Sequence, residues 1–241
     1  MVNFLVNLFG LASVWIVWLW LIFHPLTNFM NLAVAVGCTL AIIPIVYMGR
    51  WLLERQPDIP QAQRITLAVH YLVAIFLGAA ILTATRLGLS APLWPVPLAP
   101  WLGLVVMLLS GLILLLVVFN LALKGLGAPF AIALTRLVVT DWMYAWTRNP
   151  MVVSALAFLV GLGLWLGSGL FLVWVLAIVS PALLVFLKVY EERELEIRFG
   201  QAYLEYKDRT PMLLPKWPRR GKPAGRNNTV PQASRARGRK A

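Results

Sequence analysis

The sequence predicts an all-α membrane protein: a polytopic bundle of about six transmembrane helices, followed by a cytosolic helix near the carboxyl terminus. Three observations carry this. Of 241 residues, 61% are hydrophobic and only 12% charged, with a mean hydropathy of +0.81, far from the balance of a soluble domain. Six apolar stretches each approach the ~20 residues that cross a bilayer. And six of the nine acidic residues crowd between positions 188 and 208, directly after the last apolar run.

Taken in order, the first span is Phe4–Phe23. No Lys or Arg precedes Arg50, the apolar core is long, and a second span follows at once, so it reads as a retained helix and not a signal peptide. Trp15, Trp18 and Trp20, with His24–Pro25, suit an interfacial belt. The second span, Phe29–Gly49, holds the single cysteine, Cys38; this leaves no disulfide framework and no thiol metal site. The third, Ile65–Thr85, carries His70, expected in an interhelical hydrogen bond. The fourth is Trp101–Ala122, where Asn120 is expected to bond another helix. The fifth and sixth, Pro150–Leu166 and Leu170–Tyr190, make a tight hairpin through Gly161, Gly163, Gly167, Ser168 and Gly169. Pro181 should bend the last span, since it removes a backbone donor.

Loop charges set the orientation. Residues 50–64 carry Arg50, Arg55 and Arg64; residues 123–149 carry Lys124, Arg136 and Arg148; thirteen Lys/Arg follow from Arg193 onward. The alternate connections, 24–28, 86–100 and 167–169, hold only Arg86. Basic loops stay on the cytoplasmic side, so both termini are expected there, and in a bacterium the protein would sit in the inner membrane. The net charge of +12 is a property of the tail: residues 216–241 hold nine Lys/Arg and no acid, leaving 12 basic and 9 acidic residues elsewhere. This Pro-, Gly-, Ser- and Arg-rich tail is expected to be disordered and weakly drawn to anionic lipid headgroups. Without aromatic interleaving or a recognisable fold, it is not read as a nucleic-acid binder. Three regions result: four spans in 1–123, a core in 124–215, and the tail, 216–241.

Within the core, Leu195, Phe199, Tyr203 and Tyr206 recur at steps of four, four and three, one face of a helix. Glu191 and Glu192 border that face. Glu194 and Arg198 are spaced as a solvent-exposed i,i+4 pair. The hairpin starts at Pro150 and returns at Glu191, which brings Arg148, Asn149, Glu191 and Glu192 to one depth at the cytosolic interface, where polar groups usually mark a site.

Arg148-Asn149-Pro150-Met151, followed by Glu191-Glu192-x-x-Leu195-x-x-x-Phe199-Gly200-x-x-Tyr203-x-x-Tyr206 and by Pro211 and Pro215, resembles the isoprenylcysteine carboxyl methyltransferase group. That group stands with the phospholipid N-methyltransferases among integral membrane enzymes. Gly125-x-Gly127-x-Pro129, Leu137-Val138, Tyr144 and Thr147 are similar to the family's approach to the motif; the resemblance covers roughly 124–215. It implies S-adenosylmethionine as methyl donor, no metal, and a lipophilic acceptor arriving from the bilayer. It also implies a cofactor pocket from Gly125, Gly127, Tyr144, Arg148, Asn149, Pro150, Glu191, Glu192 and Tyr203; no catalytic residue follows from it. Family members often carry Gly near 142, Arg at 145, Tyr at 152 and Gly at 154, where this chain has Trp142, Ala145, Val152 and Ser154, so the acceptor side of the pocket departs most.

Chemistry constrains the implied roles. A carboxylate against a sulfonium would stabilise the ground state more than the transition state, in which that charge fades. Glu191 and Glu192 are therefore expected on the cofactor's ammonium and ribose hydroxyls, and Arg148 on its carboxylate. Phospholipid N-methylation is the alternative enzymatic reading. A transporter or scaffold is the alternative of another class, against which stands the lack of charge near mid-span.

Overall fold

The computed structural model describes residues 2–91, 94–97, 100–123 and 138–214. The Gly125, Gly127, Pro129 and Leu137 expectations and the tail lie outside them. The described residues form helices α1 (Val2–Phe23), α2 (Asn28–Arg55), α3 (Ile59–Ser90), α4 (Pro100–Leu123), α5 (Pro150–Trp165), α6 (Gly169–Phe199) and α7 (Gln201–Arg209). A 3₁₀ turn, Trp142–Ala145, precedes α5. Five of these helices, α1 to α4 and α6, are long and apolar enough to cross a membrane. The chain is an integral membrane protein.

The starts are capped as their residues dictate. Thr27 Oγ1 accepts from Met30 N at 3.3 Å to open α2, and Asp58 Oδ1 accepts from Gln61 N at 2.7 Å to open α3, with Pro60 in its first turn. Such side chains take up amides that have no intrahelical partner. Both helices outrun their expected spans, 29–49 and 65–85: charge at Arg50, Arg55 and Arg64 ends the apolar run without ending the helix.

α5 is the exception among the spans, with only 16 residues. It still lies antiparallel along α4, because small residues let the backbones close up. A Cβ on Gly161 would lie 2.6 Å from Met107 N, and one on Gly111 would lie 3.3 Å from the Phe158 ring. Close approach at small residues is the usual way helices associate in lipid. At the far end Gly167 takes φ +62°, Val96 N donates to Gly167 O at 3.1 Å, and Gly169 N to Trp94 O at 2.8 Å.

Two apolar clusters hold the bundle. One gathers Ile42, Val46 and Leu53 of α2, Ile65 and Val69 of α3, and Phe186, Leu187 and Tyr190 of α6. The other joins Ala35, Ala80, Ala84, Leu159, Phe171, Trp174 and Val179, with Trp174 Nε1 donating to Ala35 O at 3.3 Å and Thr39 Oγ1 at 3.2 Å. Leu108, Leu109, Leu112 and Leu115 of α4 stay more than half exposed, as a lipid-facing surface requires.

α6 is continuous but not uniform. π-helical turns occupy Val175–Val179, immediately before Pro181, and Phe186–Glu191. Ser180 Oγ donates to Val175 O at 2.9 Å, five residues back, so the register changes where proline removes a donor. At roughly 1.5 Å per residue its 31 residues reach about 46 Å, longer than a ~30 Å hydrocarbon core. The end bearing Glu191 and Glu192 therefore emerges into the interface.

Candidate functional site

The site forms where the start of α5, the end of α6 and α7 meet. Gly200, at φ +54°, breaks the helix expected to run through 188–208. That backbone region suits glycine, and it folds α7 back across α6. Tyr203 and Tyr206 become buried, at 3% and 4% exposure, while Leu195 and Phe199 stay only partly buried; the single apolar face expected of these four is split by the turn. Tyr206 OH donates to Tyr144 O at 2.7 Å. The following segment clamps the Arg-Asn-Pro turn: Arg148 N donates to Pro211 O at 2.9 Å, and Thr147 Oγ1 and Asn149 Nδ2 each reach Met212 O at 3.0 Å. Asn149 thereby holds the turn, and Pro150 is buried at the first position of α5.

Arg148 sits at the centre. Its Nη1 donates to Glu192 Oε1 at 2.9 Å and to Tyr203 OH at 3.1 Å, while its buried Nε has no partner among the described residues. The side chains of Arg148 and Glu192 are 9% and 13% exposed, so the pair is shielded and not a screened surface contact. Lys207 Nζ completes it, 2.7 Å from Glu192 Oε2 and 3.1 Å from Glu196 Oε1. Its hydrogen bond to Glu192 raises the Lys207 ammonium above the usual lysine range, which keeps it charged. Burial lifts the Tyr203 phenol to about 12, and pushes Tyr144 up as well, with the charge of nearby Glu191 adding to it. Both phenols stay protonated and can donate or accept.

Glu191 differs from its neighbour. It is partly buried and near Tyr144, Glu192 and Arg148, yet among the described residues its carboxylate makes no hydrogen bond or ion pair. Glu192, by contrast, already binds two cations.

Of the residues singled out by sequence, Tyr144, Arg148, Asn149, Pro150, Glu191, Glu192 and Tyr203 gather here. Lys207, missed entirely, lies eleven residues from Glu196, a spacing that pairs only because Gly200 reverses the chain. Glu194 and Arg198 correct the sequence reading: they are buried, at 2% and 7% exposure, with Arg198 Nη1 to Glu194 Oε1 at 2.6 Å. Nor does His70 bond across helices; its Nδ1 pairs with Thr66 O at 2.9 Å on its own helix, its ring edge-on to Phe186. Asn120 Nδ2 is buried without a partner among the described residues.

The sequence pattern of the phospholipid methyltransferase family matches residues 98–202. That family also takes in the isoprenylcysteine carboxyl methyltransferases. No curated protein matches the chain, and no solved structure does. The matched stretch takes in α4, α5, α6 and the first residues of α7; α1 to α3 lie outside it.

One departure within this region has a backbone consequence. Trp142, where relatives often carry glycine, sits at φ +53° and is 45% exposed. An L-residue with a side chain costs about 1–2 kcal/mol in that conformation. Trp142→Gly is expected to raise the thermal midpoint of the purified protein; a lowered midpoint would mean the indole packs better than its exposure indicates. Val152 packs against both apolar clusters, and Ser154 Oγ is spent on Pro150 O at 2.6 Å.

Proposed function

We propose that the protein transfers a methyl group from S-adenosylmethionine to a lipophilic, membrane-borne acceptor of the isoprenylcysteine carboxylate type, at a site on the cytoplasmic face with both termini inside. The observation that carries this is the arrangement of Arg148 and Glu191: a shielded guanidinium near a carboxylate that makes no hydrogen bond or ion pair among the described residues. That donor set fits an amino-acid moiety, with its own carboxylate directed to Arg148 and its ammonium to Glu191. Glu192 fixes the guanidinium with Lys207 as counterweight, and Tyr144 and Tyr203 border the cofactor. The bound cofactor supplies an activated methyl. The chain's share is then to hold acceptor and donor in line, which by itself is worth effective molarities of ~10⁵ M or more.

A carboxylate acceptor needs no general base, whereas an ammonium acceptor does. Arg148, Glu192 and Lys207 are committed to one another, Asn149 cannot titrate, and Glu191 is in this reading taken by the cofactor's ammonium, which favours an acceptor that is already nucleophilic. Phospholipid N-methylation remains the second reading, carried by the family match. The orientation rests on Arg50, Arg64 and Arg148 gathering at the Glu191 end of the bundle, opposite Arg86.

Protein in detergent is expected to bind S-adenosylmethionine and S-adenosylhomocysteine, with heat on titration and a raised thermal midpoint. Neither heat nor shift with either ligand would remove the methyltransferase reading. With binding in hand, transfer of labelled methyl to a prenylated cysteine analogue against phosphatidylethanolamine separates the two acceptors.

A further inference from the structure

We infer that a buried polar chain from α3 to α6 is a positioning device for Glu191 and Glu192, so that helices outside the family-matched region set the geometry of the site. The inference rests on the reading of Glu191 as a cofactor anchor.

The chain begins at Thr66 of α3, whose hydroxyl shares a hydrogen bond of 2.9 Å with Tyr190 OH. Either hydroxyl can donate in this pair. Glu194 is closed by Arg198 at 2.6 Å. Tyr190, Thr66, Glu194 and Arg198 are exposed by 0%, 1%, 2% and 7%. The two glutamates of the site therefore lie between Tyr190, tied to Thr66 of α3, and the buried Glu194–Arg198 pair.

The tie matters because of the π-helical turn Phe186–Glu191. One extra residue in a helical turn rotates everything after it by roughly 100°. That rotation decides whether Glu191 and Glu192 face Arg148. Such a turn needs outside support, and α2 provides more of it: Arg50 Nη1 donates to Val189 O inside the turn at 3.2 Å. Gly49 leaves room for the Tyr190 ring, since a Cβ there would come within 2.8 Å of it. A buried ion pair is poor evidence for stability, because desolvation offsets its attraction; register is what it can fix.

The experiment compares Thr66→Val, Tyr190→Phe, the double variant, and Thr66→Ser for S-adenosylhomocysteine affinity, thermal midpoint and hydrogen exchange over 186–196. Each single change should weaken binding roughly three- to tenfold, the cost of one net hydrogen bond. The double variant should be no worse than either single, as for groups acting in one chain, and Thr66→Ser should restore binding. Thr83→Val, which removes a buried hydroxyl bonded only within α3, should leave affinity and exchange at 186–196 unchanged. Thr66→Val and Tyr190→Phe with lowered midpoints but wild-type affinity and exchange would overturn the inference. If the wild-type protein itself bound no cofactor, the cofactor reading would fall. Exchange at 186–196 would still judge the device: faster in Thr66→Val upholds it, unchanged overturns it.

Discussion

Arg148→Met should reduce affinity for S-adenosylmethionine at least a hundredfold, about 2.7 kcal/mol or more. The guanidinium is the one group that simultaneously holds Glu192, holds Tyr203 and has donors to spare. Arg148→Lys should rescue little, since a single ammonium cannot reproduce a planar fork. The stability cost should be smaller than for an ordinary buried pair, where stranding a charge costs about 3–5 kcal/mol, because Lys207 still neutralises Glu192 at 2.7 Å. Adding Glu192→Gln to Arg148→Met removes the stranded carboxylate and should recover part of the thermal midpoint without recovering binding. Binding that survives Arg148→Met within threefold would assign the arginine to structure alone.

The spans were legible because apolar length is a strong signal, and the meeting of Arg148 with Glu192 was legible because the hairpin 150–190 returns the chain to the depth at which it left. What escaped was anything that depends on a change of helical register. Glu194 and Arg198 have the spacing of a surface pair, and in an undisturbed helix leaving the membrane they would be one. The π turn before them buries them against α3 instead, and no residue between Phe186 and Glu191 announces it. The ending at Gly200 was masked in the same way: a lone glycine in an amphipathic pattern is tolerated in a helix, so nothing in the pattern requires φ +54°. With that turn unread, Lys207 had no reason to meet Glu192. His70 shows a simpler limit, since a bond to the carbonyl four residues back and a bond to a neighbouring helix leave the same trace in sequence.

The two carboxylates of the site should part company under the same substitution. Glu191→Gln keeps shape but loses a charge-assisted hydrogen bond to the cofactor's ammonium, and such bonds are worth roughly 1.5–3 kcal/mol. Affinity for S-adenosylmethionine should fall about ten- to a hundredfold. Turnover at saturating cofactor should change little, because an anchor acts equally in ground and transition states. The protein should also fold as well as the wild type, since Glu191 binds no cation that would be left without its counter-ion. Glu192→Gln leaves Arg148 without its carboxylate while Lys207 keeps Glu196 at 3.1 Å, so it should lower the thermal midpoint and loosen Arg148, with a smaller direct effect on the ammonium end of the ligand. Titration of both variants with S-adenosylmethionine and with decarboxylated S-adenosylmethionine separates them. Glu191→Gln should weaken both ligands alike, whereas Glu192→Gln, acting through Arg148, should weaken only the ligand that keeps its carboxylate. Collapse of turnover in Glu191→Gln with binding intact would instead make Glu191 a general base, and the acceptor a protonated amine or thiol.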